Sequence, residues 1–159
     1  MTRHATAVNP HQSPTDFERE LTPAGQTEAR QLGGQLERLG WIPDRVLVSP
    51  ATRTLQTLAG FLEALNVAPQ PVADEVSGLY LGGMDSMLAE VASLPESCTT
   101  LMILGHNPGV SEAVTELSGQ TLGLAPAHAA LLEAGANGSW LDLFSGQTPM
   151  SFKQLVGPR

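Results

Sequence analysis

The sequence predicts an α/β domain of three layers, with helices on both faces of a mostly parallel sheet. Two short runs are almost wholly apolar, "RVLVS" (45–49) and "TLMILG" (100–105). Strands covered on both faces read this way. Stretches of helical period separate them, and alternation of this kind marks an α/β layer fold. The length, 159 residues with 42% hydrophobic and 15% charged, suits one globular domain over 1–159.

Each element has its own signal. Ala29, Leu32, Leu36 and Leu39 recur at spacings of three and four, as one helix face requires. Leu55, Leu58, Leu62 and Leu65 repeat the pattern, and so do Val110, Ala113, Val114 and Leu117. "MDSMLAEVASL" (84–94) predicts a shorter amphipathic helix. "HAALLEA" and "SWLDLF" flank "GANG" (135–138), which predicts a hairpin. Aromatic residues are only 4%, so Leu, Val and Ala must fill the core.

Three dipeptides, Thr22-Pro23, Ser49-Pro50 and Asn107-Pro108, place a capping side chain before a proline. The cap oxygen accepts from a free helix N–H, and proline at the first helical position loses no needed donor. Two of these caps follow the apolar runs directly. A strand that ends in a helix start directs backbone N–H groups and the helix dipole outward, which suits an anion. Ligands of open α/β sheets gather at that carboxyl edge.

Composition removes several function classes. The formal net charge is -8, which argues against nonspecific binding to nucleic acid or an anionic membrane. Cys98 is the sole cysteine, so no disulfide closes within the chain and no thiolate zinc cluster forms; a reducing cytoplasm fits. The start, "MTRHATAVNP", has no hydrophobic signal region, and no apolar run reaches the ~20 residues of a membrane helix. The expected location is cytoplasmic.

Four groups could carry chemistry: Arg3, His4, Arg53 and His106. Arg53 falls in the first turn of the helix after "VLVSP", where a cation is unfavourable unless an anion faces it. His106 stands at the lip of a buried strand. Read singly, Arg53 could reach a surface carboxylate, and His106 could bond a backbone carbonyl. The ordered set "RHATA", "LTPAG", "SPATRTLQT", "GHNPG" says more.

That set resembles the histidine phosphatase superfamily, also called phosphoglycerate mutase-like. "RHATA" is similar to the family's Arg-His-Gly signature, with Ala5 in place of glycine. "RELTPAGQTEA" (19–29) resembles its first helix start, "SPATRTLQT" its second strand-to-helix turn, and "LGHNPGVSE" the segment of its second histidine. The Asn-Pro, the small size and the lack of a long insertion are most similar to the SixA-like phosphohistidine phosphatase branch. The resemblance spans residues 3–118.

The resemblance implies a phosphoglycerate mutase-like sandwich and a phosphatase that works through a covalent phosphohistidine on His4. It implies phosphate binding by Arg3, His4, Arg53 and His106, with His106 protonated by the bound dianion. His4 must be neutral to attack phosphorus: nearby Arg3 and Arg53 would lower its proton affinity, and a backbone carbonyl on its other nitrogen would fix the tautomer. No metal and no cofactor is implied. The proton donor would come from "VADEVSGLYLGG" (72–83), with Glu75 as the candidate. The implied substrate is protein phosphohistidine. A small phosphorylated metabolite, or a non-catalytic phosphohistidine-binding module, is the alternative; neither nucleic acid nor membrane is an expected partner.

Three details complete the reading. Only Met1 and Thr2 precede Arg3: either the first strand is truncated, which would loosen His4, or the true start lies upstream. Ala5 is expected to restrict the backbone after His4. Loop 8–20 should form a flexible rim in which His11 is solvent-exposed and Arg19 is a substrate contact or a surface charge. His128 is read as structural or rim.

Overall fold

The computed structural model describes residues 1–135 and 138–158. Its strands are β1 (Thr2–Arg3), β2 (Arg45–Val48), β3 (Val72–Glu75), β4 (Leu101–Gly105), β5 (Ala129–Glu133) and β6 (Ser151–Val156). Its helices are α1 (Pro23–Arg38), α2 (Thr52–Glu63), α3 (Met84–Val91), α4 (Gly109–Ser118) and α5 (Trp140–Phe144). One sheet holds all six strands in the order β3-β2-β4-β1-β5-β6. The first three junctions are parallel, and the last two are antiparallel. This is the mostly parallel α/β sandwich the sequence predicts.

Strand alternation splits the core into two layers. Val46, Val48, Met102, Leu104, Ala129 and Leu131 face one side, with Leu32 and Leu36 of α1 and Leu58 and Phe61 of α2. Leu47, Ile103 and Ala130 face the other, with Met87 of α3, Val110 and Val114 of α4, and Phe144 of α5. Successive strand side chains point to opposite faces, so both faces of β2 and β4 had to be apolar. Leu39 departs from its predicted face. It lies at the C-cap of α1, 45% exposed.

The strand termini place the chemistry. β1 lies between β4 and β5, with Thr2 opposite Leu104 and Arg3 opposite Gly105. The carboxyl ends of β1, β2 and β4 therefore open on one edge. β1 is short, as predicted, but His4 is not loose. Arg3 N donates to the His128 carbonyl at 3.0 Å, and His4 N to the Gly105 carbonyl at 3.1 Å. The His4 carbonyl accepts from Ala127 N at 3.0 Å. Hydrogen bonds to β4 and to the segment just before β5 hold it in place.

Other expectations need correction. "SWLDLF" forms helix α5 rather than a hairpin strand; Ser139 caps it by accepting from Asp142 N. The antiparallel partner of β5 is β6. The centre of the proposed "GANG" turn, 136–137, lies outside the described residues. Of the three predicted caps, only Thr22 is one, accepting from Gly25 N at 3.0 Å. The N-cap of α2 is Ala51 and that of α4 is Pro108. Ser49 and Asn107 are engaged elsewhere, as the site shows. Among the described residues no helix is long and apolar enough to cross a membrane.

Candidate active site

The site begins with the segment after β1. Ala5 is buried and its N–H donates to Thr57 Oγ1 of α2 at 3.0 Å. Ala5 is absent from the positive-φ positions, so alanine fits where the family carries glycine. Thr6 is gripped by α1: its carbonyl accepts from Thr22 N at 2.9 Å and from Thr22 Oγ1 at 3.2 Å. Glu28 accepts from both Thr6 N and Thr6 Oγ1. Gly25 lies directly against this carbonyl; a Cβ there would come within 2.0 Å of Thr6 O. The "LTPAG" motif thus fixes the loop that carries His4.

His4 is 8% exposed and uses both ring nitrogens. Nδ1 pairs with the Ala5 carbonyl at 2.7 Å, which requires a proton on Nδ1. Nε2 is then a lone-pair acceptor and receives Arg53 Nε–H at 3.2 Å. Burial pushes the His4 pKa down to about 4; the Ala5 bond opposes this, and the charges of Arg53, Arg3 and Arg19 add to it. At neutral pH His4 is a neutral ring whose Nε2 electron pair accepts from Arg53.

His106 stands across from it at the end of β4, with ring centroids 5.1 Å apart and planes at 57°. Its Nε2 pairs with Ser49 Oγ at 2.8 Å. Its Nδ1 is buried with no hydrogen-bond partner in the protein. Burial, then Arg53 and His4, lower its pKa to about 3. In the protein alone His106 is neutral, so the protonation implied by the resemblance needs a bound dianion.

Arg53, 3% exposed, lies in the first turn of α2 as predicted. Arg3 reaches the same region from β1. Its Nη1 donates to the Leu124 carbonyl at 2.9 Å, and its buried Nε has no partner. Asn107 Nδ2 donates to the same carbonyl at 2.9 Å, and Asn107 Oδ1 accepts from Ser111 Oγ at 2.7 Å. Asn107 therefore anchors the loop that positions Arg3.

Sequence reasoning missed three contributors. Asp16 accepts from Arg53 Nη2 at 3.0 Å, and its backbone carbonyl accepts from Arg53 Nη1. Arg19 Nη1 donates to Asp16 Oδ1 at 2.9 Å, and Tyr80 Oη to Asp16 Oδ2 at 2.9 Å. Tyr80 also meets His106 edge-on, at 5.6 Å between centroids. Ser49 is the third. Arg19 is thus part of the rim loop, with its Nε on the Val8 carbonyl.

The remaining candidates stay outside. Glu75 ends β3 exposed to solvent, and among the described residues no hydrogen bond or ion pair joins it to these groups. His11 is exposed. His128 bonds the Pro126 carbonyl through Nδ1. A cavity of about 860 Å³ opens at the opposite edge against Trp41, Leu101 and Trp140. It is remote from this chemistry.

Two neutral imidazoles, two guanidinium groups and unpartnered buried donors at one sheet edge can hold a tetrahedral oxyanion against a nucleophilic nitrogen. Comparison with known proteins agrees. The profile of the histidine phosphatase superfamily (branch 1) matches residues 1–100. An uncharacterized chloroplastic protein of Arabidopsis thaliana is 36% identical over 172 residues, covering 98% of this chain and 75% of that protein. A structure assigned as the phosphohistidine phosphatase SixA of Nakamurella multipartitia superposes with a TM-score of 0.84 at 28% identity, covering 98% of this chain and 92% of that one. The protein histidine phosphatase SixA in complex with tungstate superposes with a TM-score of 0.79 at 25% identity, covering 98% and 93%. The chain belongs to the histidine phosphatase superfamily and is a phosphatase of its SixA-like branch.

Proposed function

We propose that the chain, acting as one domain, hydrolyses phosphohistidine in proteins through a phosphoryl group carried on His4. The observation that supports this most is the pairing of His4. Nδ1 is committed to the Ala5 carbonyl, and Nε2 is held as a lone pair beside Arg53. A ring so fixed is a nucleophile that needs no deprotonation.

Each neighbour then has a role. Arg3 and Arg53 bind the equatorial phosphoryl oxygens, because a guanidinium keeps its charge and matches phosphate geometry. Ser49 Oγ–H donates to His106 Nε2, which leaves the proton on Nδ1, the nitrogen without a protein partner. That N–H goes to a phosphoryl oxygen, and the dianion draws a second proton to the ring. Such positioning and charge stabilisation supply most of what phosphoryl transfer requires. Water then attacks phosphorus and frees His4.

The phosphohistidine reading is supported by the lack of a proton-donating acid in the cluster among the described residues. Glu75 does not join it, and Asp16 is a poor proton donor. Arg19 above all, with Tyr80 and Arg53, lowers the Asp16 pKa to about 2. An alkoxide leaving group needs a proton, whereas a protonated imidazole leaves as a neutral molecule. The tungstate bound by the SixA relative is a tetrahedral oxyanion, in keeping with a phosphoryl pocket.

The test is a substrate panel with a phosphohistidine peptide, phosphoserine and phosphotyrosine peptides, and sugar phosphates. The expected result is a clear kcat/KM preference for phosphohistidine. Equal or better turnover of a sugar phosphate would contradict it.

A further inference from the structure

Asp16 is a carboxylate at the mouth of a cationic pocket. It is tied to the nucleophile by one side chain: the Arg53 guanidinium donates Nε–H to His4 Nε2 and Nη2–H to Asp16 Oδ2. His4 is buried, while the Asp16 side chain is 43% exposed, so Asp16 stands one guanidinium width outward. Phosphoryl transfer runs in line, which places the leaving group on this outer side.

The carboxylate is fixed but not saturated. Oδ2 accepts from Arg53 and Tyr80, and Oδ1 from Arg19. Two carboxylate oxygens offer about four acceptor sites, so one remains. Beside it stand two aromatic rings. Phe17 is 39% exposed and meets Tyr80 edge-on, with centroids 5.0 Å apart. Tyr80 in turn borders His106. The Tyr80 loop is held against α4, where a Cβ on Gly109 would come within 2.2 Å of the Gly82 carbonyl.

We infer that Asp16, walled by Tyr80 and Phe17, is the binding site for the leaving imidazole: the carboxylate accepts the N–H of the ring nitrogen that does not carry phosphorus. This rests on the phosphohistidine reading and deepens it. A phosphorylated imidazole protonated on its other nitrogen is a flat cation. It gains from a carboxylate and from aromatic rings alike. Arg53 Nε–H passes from His4 Nε2 to a phosphoryl oxygen, and the freed His4 lone pair forms the new N–P bond as the old N–P bond breaks. Its electron pair returns to the departing ring, which leaves as neutral imidazole with its N–H still on Asp16. An ester leaving group has no donor at that position.

The experiment compares Asp16→Asn with the unaltered chain on N-phosphorylimidazole and on 4-nitrophenyl phosphate. The kcat/KM for N-phosphorylimidazole should fall further than that for the ester by about tenfold to a hundredfold, the worth of one charged hydrogen bond. Equal losses on both would overturn the inference, because they would mean Asp16 acts only by holding Arg53. If Asp16→Asn fails to fold by circular dichroism, Asp16→Ser carries the same comparison. The unaltered chain on a phosphohistidine peptide reports separately. A selective Asp16 effect with no peptide turnover keeps the inference and removes the protein substrate. Peptide turnover with no selectivity does the reverse.

Discussion

Arg53 Nε–H points at His4 Nε2 across 3.2 Å, while the opposite nitrogen of the same ring is committed to the Ala5 carbonyl at 2.7 Å. The pair links a cation in the first turn of α2 to a nucleophile at the end of β1. It explains why an arginine sits at a helix N-terminus, where its charge is otherwise unfavourable.

The consequence is that Arg53→Lys is not conservative. Lysine keeps the charge but loses the planar fork that bonds His4 and Asp16 together. Steady-state kinetics should show kcat reduced by about 10²–10³, the scale of losing one aimed donor. A loss under threefold would show that only charge matters at this position.

Ser49→Ala tests the support of His106. Ser49 is fully buried, and its hydroxyl is the partner of His106 Nε2. Removing it leaves a buried ring nitrogen unpaired, at a cost of about 1–3 kcal/mol. Chemical denaturation should show that loss with an unchanged slope, and kcat should fall as His106 loses its preferred tautomer. Unchanged stability would show that the bond carries nothing.

Gly25→Ala probes the grip of α1 on the His4 loop. The new methyl would meet Thr6 O at 2.0 Å, so backbone must shift. Overpacking of this kind costs about 1–3 kcal/mol. Thermal unfolding should show the loss, and activity should fall more than stability alone explains. Gly34 on the same helix, whose added Cβ would meet only Arg38 Nη1 at 3.5 Å, is the control; Gly34→Ala should leave activity unchanged and raise stability by up to about 1 kcal/mol.

The histidines also set an acid limit. The folded pKa values are about 4 for His4 and about 3 for His106, below the unfolded value of 6.5. The unfolded chain therefore binds protons first as pH falls, so stability is full above about pH 6.5 and declines from there toward pH 3–4. The melting temperature of the double variant His4→Gln, His106→Gln should decline less over that window. Parallel curves would contradict the depressed values.

The sequence carried the layers well, and for a physical reason. "RVLVS" and "TLMILG" are apolar on both faces because both faces are covered, and no other environment in this fold demands that. The late chain was harder. "SWLDLF" suits a strand or a helix by apolar content, and the distinguishing signal was the Ser139-to-Asp142 capping box. Strand β6 sits at the sheet edge with only Val156 buried, so it left little pattern. In the candidate site, Arg53 and His106 follow readable strand ends, whereas Arg3 and His4, at a two-residue strand, could be picked out only through the resemblance of "RHATA". Ser49 and Asn107 were misread as caps, since a hydroxyl or amide before proline looks the same whether it bonds a helix N–H or a side chain. Asp16 lies in an aperiodic loop, and its role depends on contacts 37 and 64 residues away.

Turnover by this route requires phosphorus to become bonded to His4 Nε2. Rapid quench of the chain with radiolabelled N-phosphorylimidazole, followed by peptide mapping, measures this directly. The predicted result is one alkali-stable, acid-labile phosphoryl group on the peptide that contains His4, absent in His4→Ala. A chain that turns over substrate at full rate with no label on His4, or a His4→Ala variant that keeps its activity, would contradict it.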